Sequence, residues 1–366
     1  MILSAALGFT RRNRGQGAGG KTSCKLNADD EAIAFLPGKQ HRELGALMGL
    51  AFSTVCFLLD AYQRGVSFKS TLTLGRTQLY LQPNEVQRVR RLAGREASEA
   101  ARRTKFGGFA DEFMKSLLNI ETLEALDYSP YQGASLIHDL NQPISPDLED
   151  RFDVVLDAGT IEHVFNFPVA IANCMKMVRA GGRLFIITVA NNHCGHGFYQ
   201  FSPELFFRLF KNRNGFHLHR LLLLKHPFPG LELSSKQRLF SVQDPDEVRQ
   251  RVGLVSRSPV LLLLEAERRS LQKILTTFPQ QSDYTTLWQS SDVNKDSSPR
   301  HDPFSRRVLA QFKKSLHAVP TRYMVRPIRT LALLVAGLYQ RYVLYSLRNR
   351  KSYQRVSPLP KKSRKM

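Results

Sequence analysis

The sequence predicts an α/β domain, a mainly parallel sheet with helices on both faces, followed by a basic helical extension. Three observations predict it. From Ser70 to Glu267, short β-branched or Leu-rich runs alternate with helical patterns, the order that builds a parallel sheet. Two successive runs, 121–127 and 134–139, end in Asp, and ligands of such sheets bind over the carboxyl ends of the strands. The charge is also divided. The chain of 366 residues carries +22, yet residues 71–270 hold 25 Lys or Arg against 22 Asp or Glu, whereas residues 271–366 hold 19 against 4. A near-neutral domain therefore carries a basic appendage.

The elements follow in order. "STLTL" (70–74) reads as a strand, and "NEVQRVRRLAGREASEAARR" (84–103) as a long helix with Val86, Val89 and Leu92 on one face. "FADEFMKSLL" (109–118) repeats the helical period, and "ETLEALD" (121–127), "ASLIHD" (134–139) and "FDVVLDA" (152–158) read as strands. A helix over 167–178 is expected to stop at Gly181-Gly182, before a buried strand over 183–189. Ser202-Pro203 marks the N-cap and first residue of a helix through Lys211. Strands over 217–224 and 259–267 close the series, with 228–235 read as a turn-rich linker.

The start of the chain, residues 1–35, is Gly-rich and polar around its arginines and is expected to be disordered. Its apolar residues precede the arginines, the reverse of a secretory signal. The uncharged stretch Leu44–Leu59 is shorter than the roughly 20 residues of a bilayer span, so a buried helix over 44–60 is expected, opening a domain of residues 36–270. The 4 cysteines have no paired spacing, which fits a reducing, cytoplasmic setting.

Polar residues collect where a ligand of such a sheet would lie: Asp127, Asp139, the run Asp157–His163 and the loop "ANNHCGHGFYQF". A carboxylate at a strand end can accept both hydroxyls of a ribose. Glu162-His163 reads either as an acid and general base or as a packed strand-to-helix turn. His196, between Gly195 and Gly197, is placed to border a substrate pocket together with Tyr199, against the alternative of an ordinary polar loop. His193, Cys194 and His196 are too few and too close for a closed zinc site, and no metal is expected.

The segments "LTLGR" (72–76), "HDLN" (138–141), "GTIEHVFN" (159–166) and "GHGFYQFSPELF" (195–206) resemble class I S-adenosylmethionine-dependent methyltransferases, in particular bacterial methyltransferase-domain proteins carrying these motifs. The resemblance covers residues 65–268. It implies a Rossmann-like seven-stranded sheet with a reversed last strand and S-adenosylmethionine as cofactor. On that reading Leu74, Gly75 and Arg76 meet the methionine end, with Arg76 on its carboxylate. Asp127 holds the ribose, Asp139 faces the adenine, and Asp157, Gly159 and Glu162 close over the cofactor. His196, Tyr199 and His163 are then the candidate catalytic residues. The family's glycine-rich first loop is reduced here to Gly75, and the spacing to Asp127 is long for a single helix.

The implied reaction is methyl transfer to an oxygen or nitrogen of a small molecule or sugar, the sugar suggested by relatives tied to surface polysaccharide metabolism. Two alternatives stand beside it: an RNA methyltransferase gripping RNA through the tail, and a methyltransferase-like fold serving as an interaction module. The extension, 271–366, includes an apolar segment flanked by Arg near 329–348, read as an amphipathic helix. After Asp302 the chain has no acid, so residues 303–366 are expected to meet an anionic membrane surface on the inner face in preference to nucleic acid.

Overall fold

Strand pairing begins at the chain's centre. Strands β2 (Ser70–Leu74), β5 (Thr122–Asp127), β7 (Phe152–Ala158) and β8 (Val178–Asn191) run parallel, with β2 between β5 and β7. The short β6 (Leu136–Ile137) extends the sheet beyond β5. On the other side β11 (Val260–Arg268) pairs antiparallel with β8 and with β9 (Phe216–Lys225). The reversed strand inserted beside β8 is the one the resemblance implies. Two further strands, β10 (Arg238–Val242) and β12 (Tyr353–Val356), lengthen the sheet, giving the order β12-β10-β9-β11-β8-β7-β2-β5-β6. The computed structural model describes residues 49–94, 105–226, 237–291 and 325–357, all of them within the compact unit Gly45–Met366.

The centre of the sheet is buried on both faces because β7, β8 and β11 carry long apolar runs, as sheets covered by helices require. Side chains alternate by the strand period of two. Phe185, Ile187 and Val189 of β8 join Val154 and Leu156 of β7 on one face. Leu184 and Ile186 join Phe152 and Val155 on the other. The first face is covered by α1 (Phe52–Gln63), α2 (Pro83–Leu92) and α3 (Asp111–Leu118). The second is covered by α4 (Phe167–Met177) and α5 (Pro203–Leu209). Phe57 meets Phe185 edge-on at 5.8 Å, and Phe68 stacks on the same ring at 5.5 Å.

Local chemistry explains the helix limits. Ser202 accepts from Glu204 N at 3.3 Å, the expected N-cap. Glu85 reaches back to Gln82 N at 3.0 Å, closing a capping box at the start of α2. The buried helix expected over 44–60 begins at Phe52, because Leu50–Ala51 form a short strand, β1, paired with Leu79 and Tyr80 of β3 (Gln78–Tyr80). Residues 44–48 lie outside the described residues, as do 1–35 and 95–103 of the long helix expected over 84–103.

Two expectations need correction. Gly181-Gly182 do not end the helix over 167–178. The helix stops at Met177, Val178 is already extended, and the pair lies inside β8 where its register against β7 shifts between Phe152 and Val154. The run 134–139 forms only a two-residue strand, so Asp139 stands beyond the strand rather than at its end.

The long spacing from Gly75 to Asp127 is also explained. It holds β3, α2, a short strand β4 (Gly108–Phe109) and α3, and β1, β3 and β4 form a separate three-stranded sheet. Further along come α6 (Pro245–Val248) and α7 (Ser282–Ser291).

The basic extension contains α8 (Val325–Tyr339), which continues into a wider π-type turn, Gln340–Leu344. No helix among the described residues is long and apolar enough to cross a membrane. Beyond the helix the chain returns to the domain. Val255 N donates to Tyr345 O at 2.7 Å, β12 pairs with β10, and Tyr353 is only 2% exposed.

Candidate functional site

The strand order reverses at β2: the chain runs outward from β2 to β5 and β6, then crosses back to β7 and β8. A crevice outside the carboxyl ends of β2 and β7 is the place such sheets offer a ligand. Its floor is made by the LTLGR segment. Leu74 is buried, and its carbonyl accepts from Thr160 Oγ at 2.9 Å, which ties the loop after β7 to the end of β2. Gly75 follows at φ +68, a left-handed conformation that glycine adopts without strain. A Cβ there would lie 3.7 Å from Asp127 Oδ2 and 3.8 Å from Thr160 Oγ.

Asp127 closes β5 beside Gly75. Its Oδ1 accepts from Tyr128 N at 2.6 Å, and its Oδ2 faces Gly75 from a half-buried position. Asp139, by contrast, is used locally: Oδ1 accepts from the backbone and side chain of Asn141 at 2.9 and 2.8 Å. These bonds hold its carboxyl below the ordinary range. Arg76 is committed as well. Its guanidinium pairs with Asp111, donates to Gln132 O at 3.0 Å and lies 3.7 Å from the centre of the Phe109 ring. In this arrangement the Arg76 guanidinium braces the insertion against the first loop.

Asp157 and Glu162 are fully buried. Asp157 Oδ1 accepts from Thr160 N at 2.8 Å, while Oδ2 finds no hydrogen-bond partner among the described residues. Burial first, and the charge of Glu162 second, push the Asp157 carboxyl well above its usual range. Gly159 (φ +102) makes the turn between the two acids. Both carboxylates lie beneath the turn that follows β7.

The candidate catalytic residues do come together, from two strand ends. Glu162 and His163 sit on a 3-10 turn, Ile161–His163, after β7, and His196 sits on the loop after β8. Glu162 O accepts from Phe198 N at 2.9 Å and from Tyr199 N at 3.2 Å, which pins the second loop across the first. Gly197 allows this approach, since a Cβ there would lie 2.8 Å from Glu162 O. The His163 and His196 rings are 5.1 Å apart, and His196 Nε2 is 3.6 Å from Glu162 Oε1. Burial holds the His163 imidazole below its ordinary value, against the charge of Glu162. Tyr199 donates from its hydroxyl to Phe165 O at 2.6 Å and stacks on Phe201 at 5.8 Å. It positions the loop, and its phenolic proton is engaged.

Sequence reasoning missed Thr160 and Thr188. Thr188 Oγ donates to Glu162 Oε2 at 2.8 Å from inside β8. A buried hydroxyl in an apolar strand, as in "FIITV", is the signal that points to it.

No protein-family model matches the chain, and no curated protein matches it. Solved structures are similar to parts of the chain only at a low level. A Burkholderia thailandensis 1,6-didemethyltoxoflavin-N1-methyltransferase, with bound 1,6-didemethyltoxoflavin and S-adenosylhomocysteine, is 12% identical over 60% of this chain and 78% of its own, with a TM-score of 0.32. The YcgJ protein of Bacillus subtilis is 9% identical over 58% and 94%, with a TM-score of 0.30. A Thermus thermophilus branched-chain polyamine synthase, in complex with N4-aminopropylspermidine and 5'-methylthioadenosine, is 12% identical over 64% and 62%, with a TM-score of 0.31. The fold assignment rests on this chain's own strand order, a Rossmann-like α/β sheet with the reversed strand β11 beside β8.

Proposed function

We propose that this chain is an S-adenosylmethionine-dependent methyltransferase acting on an oxygen or nitrogen of a small molecule, with a sugar hydroxyl as the acceptor class the motif resemblance favours. The observation that carries the reading is Asp127 Oδ2 facing Gly75 across the carboxyl ends of two neighbouring parallel strands, at the reversal of strand order. The residues present fit the cofactor. Gly75 leaves the floor open, Asp127 offers a half-exposed carboxylate to a ribose, and Gly159 and Thr160 bound the crevice from β7. The cofactor's sulfonium supplies the methyl group. His163, exposed and held neutral by its surroundings, can accept the proton an acceptor hydroxyl must lose. His196 borders it from the second loop.

The test is titration calorimetry of the purified chain with S-adenosylhomocysteine. The parent is expected to bind, and Asp127→Ala to bind at least about ten-fold more weakly, since a charge-assisted hydrogen bond is worth about 1.5–3 kcal/mol. Equal affinity in parent and variant would misplace the ribose. A parent that binds nothing would leave the fold as an interaction module without catalysis.

The membrane reading of the extension is supported by an apolar helix rimmed with cations. Leu331, Leu333, Leu334, Val335 and Leu338 are exposed on α8, and Arg341, Arg348 and Arg350 follow on the surface. That combination suits an interfacial helix on an anionic leaflet and a peripheral place on the inner face of a cytoplasmic membrane. Co-sedimentation with vesicles containing anionic lipid should weaken with salt yet persist, because apolar burial is not screened. Replacing Leu333, Leu334 and Leu338 with Ser should abolish it. A chain that ignores vesicles and binds RNA, with log affinity falling linearly in log salt, would favour the RNA reading instead.

A further inference from the structure

Three side chains meet at the ends of β7 and β8 in a way that methyl transfer does not require. Glu162, His163 and His196 each bring one ligand-type atom, and these atoms all lie within 4.8 Å of one another. Glu162 is fully buried, with one oxygen held by the Thr188 hydroxyl. Its second oxygen has no hydrogen-bond partner among the described residues and is aimed at His196, 3.6 Å from Nε2. That nitrogen is buried and lacks a hydrogen-bond partner too. A bare carboxylate oxygen and a bare imidazole nitrogen, turned to each other and too far apart to bond, leave a gap between them that a cation would fill.

We propose that Glu162, His163 and His196 form a binding site for a first-row divalent cation such as Zn2+ or Mn2+. One carboxylate and two imidazoles are the donors such ions take, and softer or harder ions are less well served by this set. Metal–donor bonds of about 2.0–2.2 Å place the donors roughly 3 Å apart. The two rings therefore close by side-chain rotation, which exposed His163 can make freely.

The backbone has already arranged the set. Phe198 N and Tyr199 N, both bonded to Glu162 O, hold the second loop against the first, and Gly197 leaves no side chain in the gap. The Thr188 hydroxyl fixes the carboxylate's orientation, as hydrogen bonds behind metal ligands commonly do. Three protein donors leave positions open on the side of exposed His163, where an acceptor hydroxyl could bind the cation, be oriented and lose its proton to water; with the cation bound, His163 is a ligand and not the base. His193 and Cys194, which the sequence invites as partners of His196, are not in the set.

Metal uptake tests this without any cofactor, so its outcome is separate from that of the methyltransferase reading. The full chain, stripped with chelator and dialysed, is titrated with Zn2+ and with Mn2+, and bound metal is measured by equilibrium dialysis. About one equivalent per chain is expected for at least one of the two ions. His163→Ala, on the surface, should lower affinity ten-fold or more while leaving the circular dichroism spectrum unchanged, and His196→Ala should do the same. Cys194→Ser should bind as the parent does. A parent that takes up neither ion would overturn the proposal, as would full affinity in His163→Ala and His196→Ala, or lost binding in Cys194→Ser.

Discussion

Glu265→Ala is expected to destabilise the domain by about 3–5 kcal/mol, the range for removing one partner of a buried ion pair. Glu265 is fully buried on β11, and its carboxylate takes Arg64 Nη2 at 2.6 Å, Arg220 Nε at 2.8 Å and Arg220 Nη2 at 2.7 Å. Arg220 also pairs with Asp60 at 2.6 Å, donates to Phe57 O at 3.2 Å and lies over the Phe57 ring. The cluster joins α1 to β9 and β11. Without Glu265, the half-buried Arg220 keeps Asp60 and the Phe57 carbonyl but loses its buried counter-charge, whereas Arg64 can turn to water. Urea unfolding reads the change as a lower midpoint with an unaltered slope. The double variant Glu265→Leu/Arg220→Leu should recover much of the loss, because the stranded charge is gone. A single-variant loss below about 1 kcal/mol would show that water reaches Arg220 freely.

Tyr353→Ala is expected to cost about 3–5 kcal/mol, as for other large aromatic truncations in cores. Tyr353 sits at the start of β12 with 2% of its surface exposed, and its hydroxyl donates to Gly253 O at 2.9 Å. The cavity left by the ring would open between β10 and the core side chains it now covers. Thermal unfolding should show one cooperative transition at a lower temperature. An unchanged midpoint would mean that the extension rests on the domain without supporting it. The same feature changes how the extension must be removed in any membrane experiment. Deleting 303–366 takes β12 with it, so serine substitutions on α8 are the cleaner perturbation.

The strands that were legible in the sequence are those whose pattern is local and complete. Phe152–Ala158 appears as read, since an apolar run over 154–156 with polar flanks has few other uses. β12, "YQRV", lies in a basic tail and has one buried aromatic, and nothing nearby in sequence marks it as a strand. Its pairing with β10 is a contact across more than a hundred residues. Gly181-Gly182 had the chemistry of a helix stop, but the preceding Val178 was already taken by β7.

The site divides the same way. Gly75, Asp127 and the Glu162–His196 pair are brought together by strand order, which the alternation of elements foretells. The engagement of Arg76 by Asp111 could not be read, because the partner lies on the insertion that separates the first two parallel strands. Nor could the burial of Asp157 and Glu162 be read, for a carboxylate at a strand end looks alike whether it faces solvent or core.

β12 is an edge strand and, among the described residues, the last strand in sequence, and this sets an order of events during synthesis. Everything from β2 to β11 can emerge and pair before residues 353–356 exist. Until they arrive, β10 presents open N–H and C=O groups along the sheet's margin, a template for a second chain. A product that ends after α8 therefore differs in more than length from one that carries β12. It keeps a sticky border that invites aggregation. Pairing of Tyr353–Val356 with β10 is what seals that border.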